Sequence, residues 1–216
     1  MQIVLLGMPG AGKGTQAARI HDDYGLVHIS TGDMFRAAAA MGTPLGEKVK
    51  GYLDSGKLVP DDVTIEVVRE RLRQPDAERG FLLDGFPRTL PQAEALDAML
   101  ADIGLGLSAA LYIHVPQEVL LSRMTGRRIC RECGATYHVV FQPPRQEGIC
   151  DRCGGELYQR SDDTEEAVKT RLQQYAHTAP LVEYYRKRGL LRQVDGQRPI
   201  DEVYAEVRTI LNQLGA

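Results

Sequence analysis

The sequence predicts an α/β fold in which a five-stranded parallel sheet is flanked by helices on both faces and carries one small inserted module. Three observations carry that expectation. Five short apolar runs alternate with helical stretches; the first run leads at once into a glycine-rich turn; and residues 126–163 break the alternation while holding every cysteine. Buried strands separated by helices are the pattern of a parallel sheet covered on both faces. A chain of 216 residues has room for one such domain with an insertion.

Gln2 to Leu6 is continuously apolar after its first residue and reads as a buried strand. Lys13 to Tyr24 follows as a helix, with Ala17, Ala18 and Ile20 on one side and Gly25 as its stop. Val27 to Ser30 is a second strand. Helical stretches cover Gly32 to Ala40, Pro44 to Asp54 and Asp62 to Gln74, the last with Asp61 as its N-cap. Phe81 to Asp84 is a third strand, Leu90 to Ile103 a helix, Ala109 to Val115 a fourth strand and Gln117 to Met124 a short helix. A long helix is expected from Thr164 to Arg188, kinked or interrupted at Pro180. Leu191 to Val194 is the last strand and Pro199 to Leu214 the last helix. The module between, at about 38 residues, is below the size at which an apolar core alone suffices.

Composition narrows the function classes. The hydrophobic fraction is 43%, enough for a core, and the formal net charge is −3. Such a balance argues against a protein held on nucleic acid or an anionic membrane by bulk electrostatics. No apolar run approaches a membrane span, and Ile3 to Leu6 is far too short for a signal peptide. A cytoplasmic protein is expected.

Gly7-Met8-Pro9-Gly10-Ala11-Gly12-Lys13-Gly14-Thr15 joins the first strand to the first helix. Glycines let successive N–H groups turn inward, and the helix N-terminus adds positive partial charge, so the segment is suited to an anion. Lys13 supplies a point charge for β and γ phosphates. The phosphate-loop pattern G-x-x-x-x-G-K-[ST] is met from Gly7 to Lys13, with Gly14 in the Ser/Thr place and Thr15 one residue later. A glycine-rich turn without a ligand is the plain alternative, and strand, glycines, lysine and helix in register weigh against it. Asp84-Gly85-Phe86-Pro87-Arg88 ends the third strand. In open α/β sheets that edge holds the site. Asp84 suits Mg²⁺ or its waters, and Arg88 suits a phosphate fork. Ser30 to Arg36 leaves the second strand in the same way, with Thr31 available to a base or phosphate, although alone it reads as an N-cap.

Cys130-x2-Cys133 and Cys150-x2-Cys153 have the spacing of a four-thiolate metal site. Four sulfurs leave no open position, so the metal is structural. Disulfides fit the expected compartment poorly, and four thiolates accept zinc, iron or cobalt. His138 is not needed as a ligand and reads as surface or ligand-contacting. Arginines cluster around the two ends of the module, Arg123, Arg127 and Arg128 at its start and Arg160 and Arg171 at its end. They read either as solvated charges and ion pairs to Asp162 and Asp163, or as arginines that a flap brings onto phosphates.

Together these motifs resemble the adenylate kinases, specifically the bacterial long type with a zinc-bearing lid. The resemblance rests on GMPGAGKGT, STGDMFR, LVPD at Leu58 to Asp61, DGFPRTLPQ at Asp84 to Gln92, TGRRIC at Thr125 to Cys130, YQRSDD at Tyr158 to Asp163 and VDGQRP at Val194 to Pro199. It implies a P-loop sheet domain over 1–29, 60–125 and 164–216, a helical monophosphate-binding segment over 30–59, and a lid over 126–163. It implies a monomer that converts ATP·Mg²⁺ and AMP into two ADP. ATP would lie on Gly10, Ala11, Gly12, Lys13, Gly14 and Thr15, with Arg123, Arg127, Thr136, Tyr137 and the Arg198 backbone around it. AMP would lie against Thr31, Arg36, Lys57, Leu58, Val59, Gly85, Phe86, Pro87, Arg88 and Gln92, with Arg160 and Arg171 reaching the phosphates. Catalysis would fall to Lys13, Asp84, Arg88, Arg127, Arg160 and Arg171, and structural zinc to Cys130, Cys133, Cys150 and Cys153. The chemistry agrees: an acceptor phosphate is largely dianionic at neutral pH and needs no general base, so the task is positioning and charge neutralisation.

Two other readings are open to the sequence. One is a P-loop kinase for UMP, CMP or GMP, since Thr31 and Gln92 favour adenine by resemblance only. The other is a zinc-ribbon nucleic-acid module on an inactive scaffold, which the nearly balanced charges of residues 126–163 disfavour.

Overall fold

A computed structural model describes residues 1–215. In chain order its main elements are β1 (Gln2–Leu6), α1 (Lys13–Tyr24), β2 (Val27–Ser30), α2 (Thr31–Ala40), α3 (Pro44–Ser55), α4 (Asp61–Leu72), β3 (Phe81–Asp84), α5 (Leu90–Asp102), β4 (Ala109–His114), α6 (Leu120–Thr125), β5 (Arg127–Cys130), β6 (Thr136–His138), β7 (Leu157–Tyr158), α7 (Glu165–Gln174), α8 (Pro180–Lys187), β8 (Leu191–Asp195) and α9 (Ile200–Leu214). Five of the strands form a parallel sheet in the order β2-β3-β1-β4-β8, so the expected α/β fold is the one formed.

β1 is the middle strand, and its alternation feeds both layers. Ile3 and Leu5 pack with Ala17 and Ile20 of α1 and Val203, Val207 and Leu211 of α9. Val4 and Leu6 point the other way, to Val68 of α4, Leu96 of α5 and Tyr185 of α8. All of these side chains are essentially buried. Register aligns Ser30 and Leu5 with Asp84. The carboxyl ends of three neighbouring strands therefore deliver Gly7, Thr31 and Gly85 to one edge.

Two smaller clusters lie outside this core. Phe35, Val49 and Val59 pack beneath α2 and α3. Cys130, Tyr137, Cys150 and Leu157 form the interior of the inserted module. The module folds as a three-stranded antiparallel sheet, order β6-β5-β7. Its strands are two to four residues long, too short for a hydrophobic period to register in the sequence.

Four local expectations are corrected. The helix expected over Thr164 to Arg188 is two, α7 and α8, with a 3₁₀ turn at Tyr175–His177 between them. Pro180 opens α8, where its missing N–H removes no helical bond. Thr178 is drawn off instead, donating its hydroxyl to Arg88 O at 2.9 Å. Asp61 does not cap α4: the helix begins at Asp61, its N-cap is Pro60, and no side chain caps it. The Asp61 carboxylate turns across to α5, accepting from Thr89 Oγ1 at 3.0 Å and Gln92 Nε2 at 2.8 Å. α4 also stops at Leu72 rather than Gln74, giving way to a 3₁₀ turn that starts with Pro75. Finally, Gln117–Val119 is 3₁₀, and only Leu120–Thr125 is α-helical.

Candidate active site

The strand ends, α2, α3 and the inserted module enclose a cavity of about 950 Å³. Its floor is the glycine-rich loop. Gly12 caps α1 at φ 98°, and Gly10 has φ 82° with Met124 Cγ 2.7 Å from where a Cβ would stand, so neither position takes a side chain. The loop closes around the Lys13 ammonium, which donates to Gly7 O at 2.9 Å and Met8 O at 3.2 Å. Gly10 to Thr15 all line the cavity.

Asp84 faces the start of α1, its Oδ2 3.9 Å from where a Cβ on Gly14 would stand. His28, one strand over, places Nε2 3.5 Å from the same oxygen. Burial pushes the Asp84 carboxyl up, but the His28 hydrogen bond and the Lys13 charge outweigh it and hold it at about 2. Burial likewise pulls Lys13 down to about 8, against the opposing pull of Asp84. The His28 imidazole is lowered by burial and raised more strongly by Asp84, for a net rise. His28 was not legible as a site residue: in the sequence it is one polar position within a four-residue strand.

Arginines crowd the space opposite the loop. Arg127 of β5 grips Asp163 with two bonds, Nε to Oδ2 at 2.8 Å and a second, shorter one from its terminal nitrogen. Arg171 of α7 reaches Asp162 at 3.1 Å and Asp163 at 3.0 Å. Arg36 of α2 pairs with Asp33 at 2.6 Å and Asp162 at 3.4 Å, and Arg160 with Asp33 at 3.1 Å. Arg36–Asp162 and Arg160–Asp33 tie the inserted module to α2. Arg88 stands apart: its Nε donates to Gly85 O at 2.9 Å, and its two terminal nitrogens have no hydrogen bond among the described residues. Burial, the largest influence on Arg88 and Arg171, lowers both, Arg171 to about 10. The cluster thus holds more cation than its carboxylates neutralise, in a partly closed space where charge is poorly screened. That excess of positive charge suits a phosphate.

The remaining sequence candidates divide. Thr31, Arg36, Lys57, Leu58, Val59 and Gly85 line the cavity, as do Arg88 and Gln92. Phe86 does not; it is fully buried in the core beneath the sheet. Pro87 lines only a separate space of about 40 Å³ behind the loop. Thr136 and Tyr137 reach the cavity, but the Tyr137 hydroxyl is turned inward, accepting from Asp151 N at 2.8 Å and lying 3.4 Å from Cys150 Sγ. Arg123 donates to Gly196 O at 3.0 Å, holding the loop before α9. Arg198 lines the cavity, and its side chain pairs with Glu206. His138 lies off the cysteine cluster. Its Nδ1 accepts from Val140 N and Phe141 N, and its Nε2 donates to Ser122 O at 3.1 Å, joining the module to the end of α6.

The four cysteines converge. Gly134 N donates to Cys130 O at 3.1 Å and Gly154 N to Cys150 O at 2.8 Å, and these glycines have φ 71° and 77°, so each Cys-x-x-Cys pair sits on the same tight knuckle. Sγ atoms of Cys130 and Cys153 are 3.4 Å apart, those of Cys133 and Cys150 3.6 Å, and all four lie within 4.8 Å of one another. A disulfide needs about 2.05 Å. A tetrahedron of thiolates about 2.3 Å from a central ion needs sulfurs about 3.8 Å apart. The cluster fits a closed four-thiolate metal site.

A phosphate loop and a ring of arginines, set at the carboxyl edge of a parallel sheet and covered by a cysteine-knuckle module, make this a phosphotransferase of the P-loop kinase class. A family model for adenylate kinase matches residues 5–190. The chain is 58% identical over 214 residues to an adenylate kinase of Carboxydothermus hydrogenoformans, spanning 99% of this chain and 100% of that protein. It is 56% identical over 215 residues to one from a Geobacillus species, spanning 99% and 100%. It is 59% identical over 209 residues to one from Symbiobacterium thermophilum, spanning 96% and 97%. The chain belongs to the adenylate kinase family.

Proposed function

We propose that the chain passes the terminal phosphoryl group of ATP·Mg²⁺ to AMP, giving two ADP, and that Lys13, Asp84, Arg88, Arg127, Arg160 and Arg171 carry the transfer. One observation carries the reading: a single cavity joins the Lys13 loop to the unpaired Arg88 fork, with the arginine cluster between them. Two nucleotides laid phosphate to phosphate fill such a space. Magnesium brought with the nucleotide neutralises charge on its phosphates, and Asp84, ionised at any working pH, is the carboxylate placed to hold its water shell. Lys13 and the loop amides hold the donor phosphates. Arg88 anchors the acceptor phosphate, and Arg36, Arg127, Arg160 and Arg171 exchange their aspartates for phosphate oxygens as the site fills. Positioning and preorganised charge lower the barrier; no proton acceptor is required.

The domain division 1–29, 60–125 and 164–216, 30–59, and 126–163 belongs to the same proposal. The separate apolar clusters under α2 and α3 and within the cysteine module support it. The module acts as a lid that excludes water and completes the site. Zinc is the ion proposed for Cys130, Cys133, Cys150 and Cys153, where it ties β5 to the second knuckle. Action as a monomer is part of the same proposal. Among the described residues no helix is long and apolar enough to cross a membrane, and a cytoplasmic setting is proposed.

The reading is tested with ATP and each of AMP, GMP, CMP and UMP, following products by ³¹P NMR. Conversion of AMP alone, or at least about tenfold faster than the others, supports it; a faster reaction with another monophosphate assigns the chain to that substrate instead.

Two further outcomes are expected. Arg88→Lys lowers kcat/KM for AMP at least about tenfold with the KM for ATP unchanged, because a point charge cannot bridge two phosphate oxygens; steady-state kinetics against each substrate checks it. ATP binding also takes up protons above about pH 8. Free Lys13 is partly deprotonated there, since burial holds it at about 8, and a neighbouring phosphate raises it and returns the proton. Titration calorimetry in buffers of different ionisation enthalpy reads that uptake, which Lys13→Met abolishes.

A further inference from the structure

The side-chain amide of Gln92 has one orientation open to it. Its Oε1 accepts from the backbone N–H of Arg88 at 2.7 Å, and its Nε2 donates to Asp61 Oδ1 at 2.8 Å. A backbone N–H only donates and a carboxylate only accepts. Turning the amide over would set N–H against N–H and oxygen against carboxylate, at a residue 2% exposed, where water cannot repair the mismatch. Both anchors are themselves fixed. The other Asp61 oxygen accepts from Thr89 Oγ1 at 3.0 Å, and Thr89 Oγ1 accepts from Gln92 N at 3.3 Å. The Arg88 carbonyl is held by Thr178. Asp61 begins α4 yet gives nothing to that helix's amides; its carboxylate is spent wholly on α5.

A primary amide has two N–H donors and two acceptor lone pairs. One of each is used inward and Gln92 lines the cavity, so one N–H and one lone pair are left for a base there. On its Watson–Crick edge adenine offers the complement, the N1 acceptor beside the exocyclic N6 amine donor, the same kind of pair that Gln and Asn read on its N6/N7 edge in DNA. A 6-oxo purine offers the two groups with roles exchanged, an oxygen acceptor where the amine was and a ring N–H donor. It would be read well only by the amide turned over.

We propose that Asp61 is a positioning residue for acceptor selectivity: it locks Gln92 in the adenine-reading orientation and so sets the preference for AMP over 6-oxo purine monophosphates. The inference rests on the reading, proposed above, that the end of the cavity lined by Thr31 and Gln92 takes the acceptor monophosphate.

The test is kcat/KM for AMP and for inosine monophosphate at saturating ATP, in the native enzyme and in Asp61→Asn, Asp61→Ala and Gln92→Ala, with the KM for ATP and the melting temperature measured alongside. Asn at 61 keeps the shape but can donate as well as accept, so of the two anchors only the Arg88 N–H still enforces the native orientation. The AMP preference is expected to fall about tenfold in Asp61→Asn, through a raised KM for AMP and a lowered one for inosine monophosphate, with the KM for ATP unchanged. A smaller fall is expected in Asp61→Ala, and near-complete loss of the preference in Gln92→Ala. If Gln92→Ala loses the preference while both Asp61 variants keep it, the positioning role is overturned and the acceptor subsite stands. Equal loss of activity on both substrates in the Asp61 variants, with the preference intact, overturns it too, because Asp61 is then a structural brace. If Gln92→Ala keeps the preference, or the native enzyme uses both substrates equally, the acceptor subsite itself fails.

Discussion

Lys13→Met is expected to lower kcat at least about 100-fold, the usual effect of removing a donor aimed at developing transition-state charge. The KM for AMP should change little, because Arg88 and the Thr31–Gln92 end of the cavity are untouched. The fold should survive. Met is close to Lys in length, and burial already penalises the Lys13 charge, holding its ammonium at about 8. Losing that penalty offsets the two carbonyls, Gly7 O and Met8 O, left without their donor. A melting temperature within a few degrees of the native one, together with collapsed turnover, is the expected pair of results. A variant keeping more than about a tenth of native kcat would remove Lys13 from the transfer.

Stripping the metal from the cysteine module is expected to unfold that module while the sheet domain holds. The module's interior is four residues, two of them cysteines. Its strands are two to four residues long. Comparable zinc modules owe roughly 10–16 kcal/mol of apparent stability to the ion. The sheet domain, by contrast, packs two large apolar layers against β1 and touches no cysteine. Chelation, or Ser in place of Cys150 and Cys153, should therefore raise hydrogen exchange across 126–163 before the core. It should bring loss of activity to a lower temperature, while activity in the cold falls only in part because bound nucleotide helps order the lid. Exchange mass spectrometry with and without chelator checks this. Simultaneous loss of protection in core and lid, or an unchanged melting temperature, would show that the ion is no staple.

How much of this was legible in the sequence depended on how far each signal reaches along the chain. β1, β3 and β4 are continuous apolar runs beside turn residues, the phosphate loop is one contiguous motif, and the cysteine spacing is local. All were readable. The strands of the inserted module were not, because two to four residues carry no period. The break between α7 and α8 was half readable: Pro180 marks it, but the capture of Thr178 by Arg88 depends on a residue far away in sequence. Asp61 was misread for the same reason. An acid at the first turn looks like a cap, and only the fold brings Thr89 and Gln92 close enough to compete for it. Phe86 and Pro87 were drawn in by the motif around them, yet Phe86, just past the end of β3, packs into the core with Phe81 and Leu83. The approach of His28 to Asp84 and the pairing of Arg160 with Asp33 and of Arg36 with Asp162 are tertiary facts, with no periodic or spacing signal to announce them.

The central claim is that donor and acceptor meet in one cavity and the phosphoryl group passes directly between them, the protein only positioning and neutralising. Stereochemistry at phosphorus tests this most directly. ATP made chiral at its γ-phosphorus with sulfur and oxygen isotopes is turned over with AMP, and the configuration of the transferred group in the product is determined. A single in-line displacement predicts inversion. Retention would mean two displacements through a phosphorylated side chain and would contradict direct transfer.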